Sequence, residues 1–225
     1  MNTNIAILGV ELSSSHCSVA LLYNGKIEEI SVPSTIVRSE KILFIINQLL
    51  EKTNITIEQL TALAFGAGPG SFTGLKIASC IMQGLHLAWH KPIIKISTLW
   101  ALALQGYQQF GINYIIPCID AKIGQVYYGI YHGIEGLPLA IQQDALIDPR
   151  EVRIVNQDSV LVIGDGIDIL RNHLLLHLDQ EVNIQYSLQY VKASSIVKLA
   201  EYCYNKDNSI IFNNDAEPIY LKLYD

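Results

Sequence analysis

The sequence predicts an α/β protein of two lobes, each a mixed sheet with an antiparallel three-strand meander plus parallel strands and flanking helices. Three observations predict it. Three apolar or alternating runs near the N-terminus are joined by tight turns, one of them the hairpin pair Asn24-Gly25. A strand, a glycine-rich turn and a helix follow in Leu63–Trp89. The same order of elements then recurs in the second half, with no low-complexity linker between the halves.

The elements run as follows. Ile5–Val10 is an apolar strand, Ser13–Ser15 a turn, Cys17–Tyr23 a second strand and Lys26–Val32 a third, stopped by Pro33. A helix spans about Arg38 to Lys52. Leu60–Phe65 is a strand, and Gly66, Gly68, Pro69 and Gly70 form a turn. Ser71 or Thr73 caps a helix that runs to about His90. Pro92–Ile96 is a strand that leads into a helix from Ser97 or Thr98 to about Phe110. In the second lobe, Tyr114–Ile119, Gln125–His132 and Leu137–Gln142 form the meander. Asp148-Pro149 opens a short helix, with proline at the first helical position. Val160–Ile163 is a strand, Gly164-Asp165-Gly166 a turn, and a helix follows to about Leu178. Val182–Tyr186 is a strand, Ala193–Tyr204 a helix and Glu217–Tyr224 a last extended piece. The lobes divide at residues 1–97 and 98–225.

Composition restricts the functions available. The chain of 225 residues is half hydrophobic and only 16% charged, which points to a sticky surface. No apolar run reaches membrane-spanning length. The N-terminus lacks a basic n-region and a cleavage site, so the expected location is cytoplasmic. Net charge is −6, from 15 basic and 21 acidic residues, and no Lys/Arg cluster exists to grip nucleic acid. Cys17, Cys80, Cys118 and Cys203 lack metal-ligand spacing and read as small buried hydrophobes.

The glycine turn before a helix N-terminus has the geometry that cradles anions. Its spacing matches neither a P-loop, nor a dinucleotide fingerprint, nor a nucleophile elbow. The glycines are therefore assigned to the turn and to close helix–strand packing. His86/His90 and His173/His177 are His-x-x-x-His pairs, but Leu87 and Leu174 stand where a zinc peptidase has glutamate, and no third ligand is evident. No metal site is expected. Glu11 and Asp120 end the first strand of their lobes, where carboxylates could hold magnesium near phosphates. With Gly164 they are vestigial nucleotide-site candidates.

The helix after the glycine turn is apolar over more than one face. Leu75, Ile77, Ala78, Ile81, Met82, Leu85, Ala88 and Trp89 fill a wide arc, opposite a stripe of Lys76, Ser79, Gln83, His86 and His90. One sheet needs only about a 100° apolar stripe, so the helix is expected to be covered on two sides, by the second lobe or by a partner protein.

Two lobes of this order resemble the actin/hexokinase/Hsp70 (ASKHA) superfamily, with its ribonuclease H-like lobes. Three segments carry a closer likeness: ILGVELSSSHCSVAL, FGAGPGSFTGLKIA and IDAKIGQVYYGIY. Together they resemble the TsaB (YeaZ) family of bacterial tRNA threonylcarbamoyladenosine biosynthesis proteins. That resemblance implies a non-catalytic scaffold that pairs with TsaD and with TsaE and meets tRNA only through the complex. The complex modifies N6 of adenine 37 in ANN-decoding tRNAs. ATP and metal are then expected in TsaD, with no cofactor on this chain. Three positions bear on the comparison: Glu11 replaces the usual Asp, Lys76 the usual Arg, and the helix Arg38–Lys52 lacks the histidine pair of TsaD. The alternative is a small ASKHA-type ATPase or kinase using Glu11 and Asp120.

For the partner face, Ile42, Ile45, Ile46 and Leu49 should cover the sheet, with Leu43 and Leu50 at the edge. Phe44 points away among Asn47 and Gln48. Phe44, Asn47, Gln48, Lys76, Gln83 and His86 are the expected interface residues, on a face that could also pair with itself as a homodimer.

Overall fold

The computed structural model describes residues 5–36, 39–154, 158–174, 182–206 and 215–221. Strand β1 (Ala6–Glu11) is buried along its whole length, as an apolar run flanked by strands on both sides must be. It pairs antiparallel with β2 (His16–Tyr23), which pairs with β3 (Lys26–Pro33) across the Asn24-Gly25 turn. Both turn residues have positive φ, 49° and 73°, as a type I′ hairpin requires. On its other side β1 pairs parallel with β4 (Ala62–Gly68), and β4 with β5 (Ile93–Ser97). The sheet order is β3-β2-β1-β4-β5.

Helices α1 (Ser39–Thr53) and α2 (Phe72–Trp89) share one face of this sheet. Ile42, Ile45, Ile46 and Leu49 of α1, with Met82 and Leu85 of α2, form one core with Leu8, Val10, Leu21 and Phe65. The second sheet repeats the arrangement. Strands β6 (Tyr114–Asp120), β7 (Val126–Ile134), β8 (Leu137–Ile147), β9 (Ser159–Ile163) and β10 (Asn183–Ser187) stand in the order β10-β9-β6-β7-β8. Helix α4 (Ile167–Leu174) contributes Ile167 and Leu170 to a core with Ile116, Cys118 and Val162. These are the two mixed five-stranded sheets expected of an ASKHA-like fold.

The two compact units do not follow a single cut at 97/98. One holds the described residues within Met1–Thr98 and Val191–Ile219, the other those within Leu99–Tyr190 together with Tyr220 and Leu221. Helix α5 (Ala193–Lys206), assigned to the C-terminal lobe from sequence, packs on the first sheet. Gly9 of β1 lies so close to it that a Cβ would stand 2.5 Å from Val197 Cγ1. Ala193 N donates to Ser18 Oγ at 2.8 Å, and Ser194 N to Glu29 Oε1 at 3.1 Å. Within the second unit, α3 (Thr98–Phe110) lies against β9, where Gly106 approaches Leu161 and Ile163.

Two element boundaries differ from expectation for reasons of packing. β4 continues through Gly66 to Gly68, with a register shift against β5 between those glycines, so they belong to the strand and not to the turn. β8 runs on to Ile147, and the ends expected at Leu178 and Tyr224 fall outside the described residues.

Candidate functional site

An apolar groove of about 520 Å3 lies between α1 and α2 in the first unit. It is lined by Leu43, Lys76, Ile77, Cys80, Gly84 and Leu85, among others. The wide apolar arc of α2 explains it. Leu75, Ala78, Ile81, Met82 and Leu85 are buried, while Cys80, Gly84, Leu87 and Ala88 remain exposed. Beside the groove, Leu43 is 44% and Phe44 56% exposed. Lys41 Nζ sits 5.9 Å from the Phe44 ring centroid and Lys76 Nζ 5.7 Å from that of Phe72. Such contacts hold an aromatic ring at the surface without burying it.

Gly84 stands out in this groove. Glycine inside a helix costs about 1 kcal/mol relative to alanine. A Cβ at Gly84 would meet nothing within 4 Å, so no packing within the chain explains the residue. Its effect is to leave the helix backbone bare at the groove.

The expected interface residues divide into two groups. Phe44, Asn47, Gln48 and Lys76 are exposed, and Asn47 Nδ2 donates to Glu51 Oε1 at 2.7 Å along the helix. Gln83 and His86 are half-buried and bonded within the chain. Gln83 Oε1 accepts from Ala216 N at 3.3 Å, and His86 Nδ1 donates to the Lys91 carbonyl at 2.8 Å. At Gln83 the polar stripe of α2 therefore meets a C-terminal segment of its own unit, which is further tied by Ile219 N to the Ala67 carbonyl at 2.8 Å.

The glycine motif serves close approach. Ser71 caps α2, accepting from Gly74 N at 3.4 Å, and Ser71 N donates to the Ser13 carbonyl at 2.8 Å. A Cβ at Gly74 would stand 1.9 Å from the Leu12 carbonyl oxygen, and one at Gly70 2.6 Å from Ser13 Cβ. Gly68 has φ +118° and passes the Ile219 carbonyl.

The carboxylates are not presented as ligands. Glu11 is fully buried. Its Oε1 accepts from Ser13 N at 2.5 Å and from Ser13 Oγ, and its Oε2 has no partner. Gly66 leaves the space for it, since a Cβ there would stand 1.7 Å from that oxygen. Burial pushes the Glu11 carboxyl up to about 7 against the opposing Ser13 hydrogen bonds. In the second unit, burial pushes Asp120 up, but hydrogen bonds from Lys122 Nζ and Lys122 N, each 2.7 Å, outweigh it and hold Asp120 low. Gly164, with φ +128°, is a close-packing residue: a Cβ would meet the Cys118 carbonyl oxygen at 1.9 Å. These residues do not fit a magnesium nucleotide. One carboxylate is sealed from solvent, the other is neutralised by its own lysine, and the glycine is pressed against β6.

His90 is exposed at the C-cap of α2, His173 lies in α4, and His177 falls outside the described residues. Among the described residues, no group of three His, Cys, Asp or Glu side chains is placed to hold a metal. Of the free cysteines, Cys17 and Cys118 are buried and Cys203 half-buried. Cys80 corrects the sequence reading, because it is exposed in the groove. Cys80 and Gly84 were the residues missed, and Leu43, expected at the edge of the sheet-covering face, is exposed at the groove. The surplus apolar width of α2 was their signal.

Comparison with known proteins gives a consistent set of relatives. The profile of TsaD, tRNA N6-adenosine threonylcarbamoyltransferase, matches residues 32–212. The Escherichia coli tRNA threonylcarbamoyladenosine biosynthesis protein TsaB is 34% identical over 164 residues, covering 72% of this chain and 70% of the relative. The Haemophilus influenzae protein of the same name is 36% identical over 125 residues, 56% of this chain, and the match spans about half of that relative, 53%. The solved structure of YeaZ from Pseudomonas aeruginosa superposes with a TM-score of 0.84 at 27% identity, covering 96% of this chain and 100% of that one.

Proposed function

The chain belongs to the TsaD family as a TsaB/YeaZ-like member of the ASKHA superfamily, and from that premise we propose that it is a non-catalytic scaffold subunit for threonylcarbamoylation of N6 of adenine 37 in ANN-decoding tRNAs. In this reading it pairs with a TsaD-type subunit, which carries ATP and metal, and a TsaE-type protein joins them. The observation that carries the reading is the open groove between α1 and α2. Phe44 is the candidate anchor beside it, and Gly84 admits a partner backbone to a helix with nothing of its own to clear. Aromatic anchors in desolvated pockets dominate interface energies. A nucleotide enzyme of the same fold finds less support, because Glu11, Asp120 and Gly164 are each committed to contacts within their own unit.

Pairing with the TsaD-type protein of the same organism is measured by calorimetry. Phe44→Ala is expected to weaken it about thirtyfold, equivalent to truncation of a ~2 kcal/mol anchor, with the melting temperature unchanged. Maleimide labelling of Cys80 should slow in the complex. Wild-type affinity in the mutant together with undiminished labelling would place the docking surface elsewhere. Steady ATP turnover by the isolated chain, abolished by Glu11→Ala or Asp120→Ala, would favour the enzyme reading instead.

The isolated chain is expected to hold tRNA weakly, because a net charge of −6 opposes the counterion release that drives such binding. Sub-micromolar affinity in a filter titration at physiological salt would contradict this.

A further inference from the structure

The segment from Asp215 to Ile219, which belongs to the first unit, is built as a strap. Exposed and buried residues alternate along it: Ala216 and Pro218 are buried, Asp215, Glu217 and Ile219 exposed. Ala216 joins the core that α1 and α2 form with the sheet. Each polar tie reaches a different element of the unit. Lys95 Nζ of β5 meets Asp215 Oδ2 at 3.3 Å, Ala216 N donates to Gln83 Oε1 of α2 at 3.3 Å, and Ile219 N donates to the Ala67 carbonyl of β4 at 2.8 Å. The last tie gives the irregularity in β4 a use. Against β5, Gly66 faces Ile96 and Gly68 faces Ser97, so Ala67 is an extra residue in the ladder. Its carbonyl takes the strap, and Gly68, bare of a side chain, lets the Ile219 carbonyl pass.

The tie to α2 falls at an informative place. Gln83 directly precedes Gly84, the interior glycine that no packing within the chain explains. Glycine loosens a helix because it gains the most backbone freedom when the helix opens. The ends of α2 are held by other means: Ser71 caps the first turn, and His86 Nδ1 donates to the Lys91 carbonyl beyond the last. Between them, Ile81, Met82 and Leu85 hold the buried side of the Gly84 turn against the core, while Cys80 and Gly84 are exposed at the groove. We propose that Asp215–Ile219 braces α2 where Gly84 weakens it, so that release of the strap opens this turn of the helix and with it the wall of the groove. A turn packed on one side and carrying a glycine on the other is the kind of unit that opens locally before the domain unfolds. The strap opposes that opening with a main-chain donor fixed by its own ties to β4 and β5. A change at the C-terminal segment is thereby transmitted to the groove through one helical turn with two states, closed and open.

Hydrogen exchange of the full chain tests the brace. Gln83→Met keeps the side-chain length and removes the acceptor, and Ala216→Asp places a carboxylate where the chain is only 2% exposed. Each variant should speed exchange of the α2 amides from Leu85 to Ala88 about fivefold or more, as the loss of one hydrogen bond of ordinary net strength would, while the β1 amides keep their wild-type rates. In the Gly84→Ala background the same acceleration should shrink, because that substitution removes the weakness the strap offsets. Unchanged α2 amides in the two variants would overturn the proposal. So would an acceleration of undiminished size in the Gly84→Ala background. If Ala216→Asp does not fold, Gln83→Met, at a half-buried position, decides alone. Both variants should also weaken pairing with the TsaD-type protein, a step that rests on the function proposed above. Faster α2 exchange with undiminished pairing would support the brace and count against the groove as the pairing surface.

Discussion

Replacing Gly74 by alanine is expected to destabilise the protein by about 3 kcal/mol or more, while the same replacement at Gly84, ten residues along the same helix, is expected to stabilise it by up to about 1 kcal/mol. The difference follows from what each added methyl meets. At Gly74 it stands 1.9 Å from the Leu12 carbonyl oxygen and 3.3 Å from Ser13 Cα. Both are backbone atoms, so no side-chain rotation relieves the clash. Either the first turn of α2 or the turn after β1 must move. Moving either breaks the Ser71 N to Ser13 carbonyl bond and shifts Ser13, whose N and Oγ donate to Glu11 Oε1. At Gly84 the methyl meets nothing within 4 Å, and alanine restores the helix propensity that glycine lacks. Urea unfolding of both variants checks the signs. A Gly74→Ala protein as stable as wild type would remove the close-approach account of the motif. The Gly84 variant carries a second expectation: pairing with the TsaD-type protein should weaken as stability rises, because the methyl intrudes on the groove.

Much of this architecture was legible in the residues, and what was not has identifiable physical causes. Asn24-Gly25 specified a hairpin because both positions need positive φ, and a cap was expected at Ser71 or Thr73 because α2 must satisfy its first N–H groups, with Ser71 taking the place. The apolar width of α2 indicated an uncovered face, and Phe44 lies beside it. Periodicity, however, tells which side of a helix is apolar and not which sheet it covers. For that reason α5 was assigned to the wrong unit and a simple cut at 97/98 was expected. Glycine is depleted from strands, so Gly66 and Gly68 read as turn residues. They stay in β4 because Glu11 and the Ile219 carbonyl press against them, contacts distant in sequence. Gln83 and His86 were placed on an open polar face for the same reason: their partners, Ala216 and Lys91, become neighbours only after folding and helix termination. Glu11 was recognised as an unusual residue, but nothing in the sequence indicated that it would be sealed from water.

That burial gives the second large effect, and its sign can be worked out. The carboxyl titrates near 7 in the folded chain and near its ordinary 4.5 when unfolded. Between those values the folded state holds a proton that the unfolded state has released, so stability falls as pH rises from about 4.5 to about 7 and stays low above. The lost amount is on the order of 3 kcal/mol, from 1.36 kcal/mol per pH unit. Glu11→Gln removes the ionisation and keeps the shape. The amide oxygen can still accept from Ser13 N and Oγ, and its nitrogen occupies the place of Oε2, which already lacks a partner. The variant should therefore match wild type near pH 4.5 and exceed it progressively, by up to about 3 kcal/mol near pH 8. Cys17 is buried close by and its thiol is pushed up to about 11, by burial first and the Glu11 charge second, so it stays neutral throughout and cannot produce the same slope. Denaturant unfolding of both proteins at several pH values decides the matter. A stability difference that does not grow with pH would mean that Glu11 reaches water or a counter-charge in solution. A difference that shrinks with pH would mean that its ionised form is the one the fold prefers.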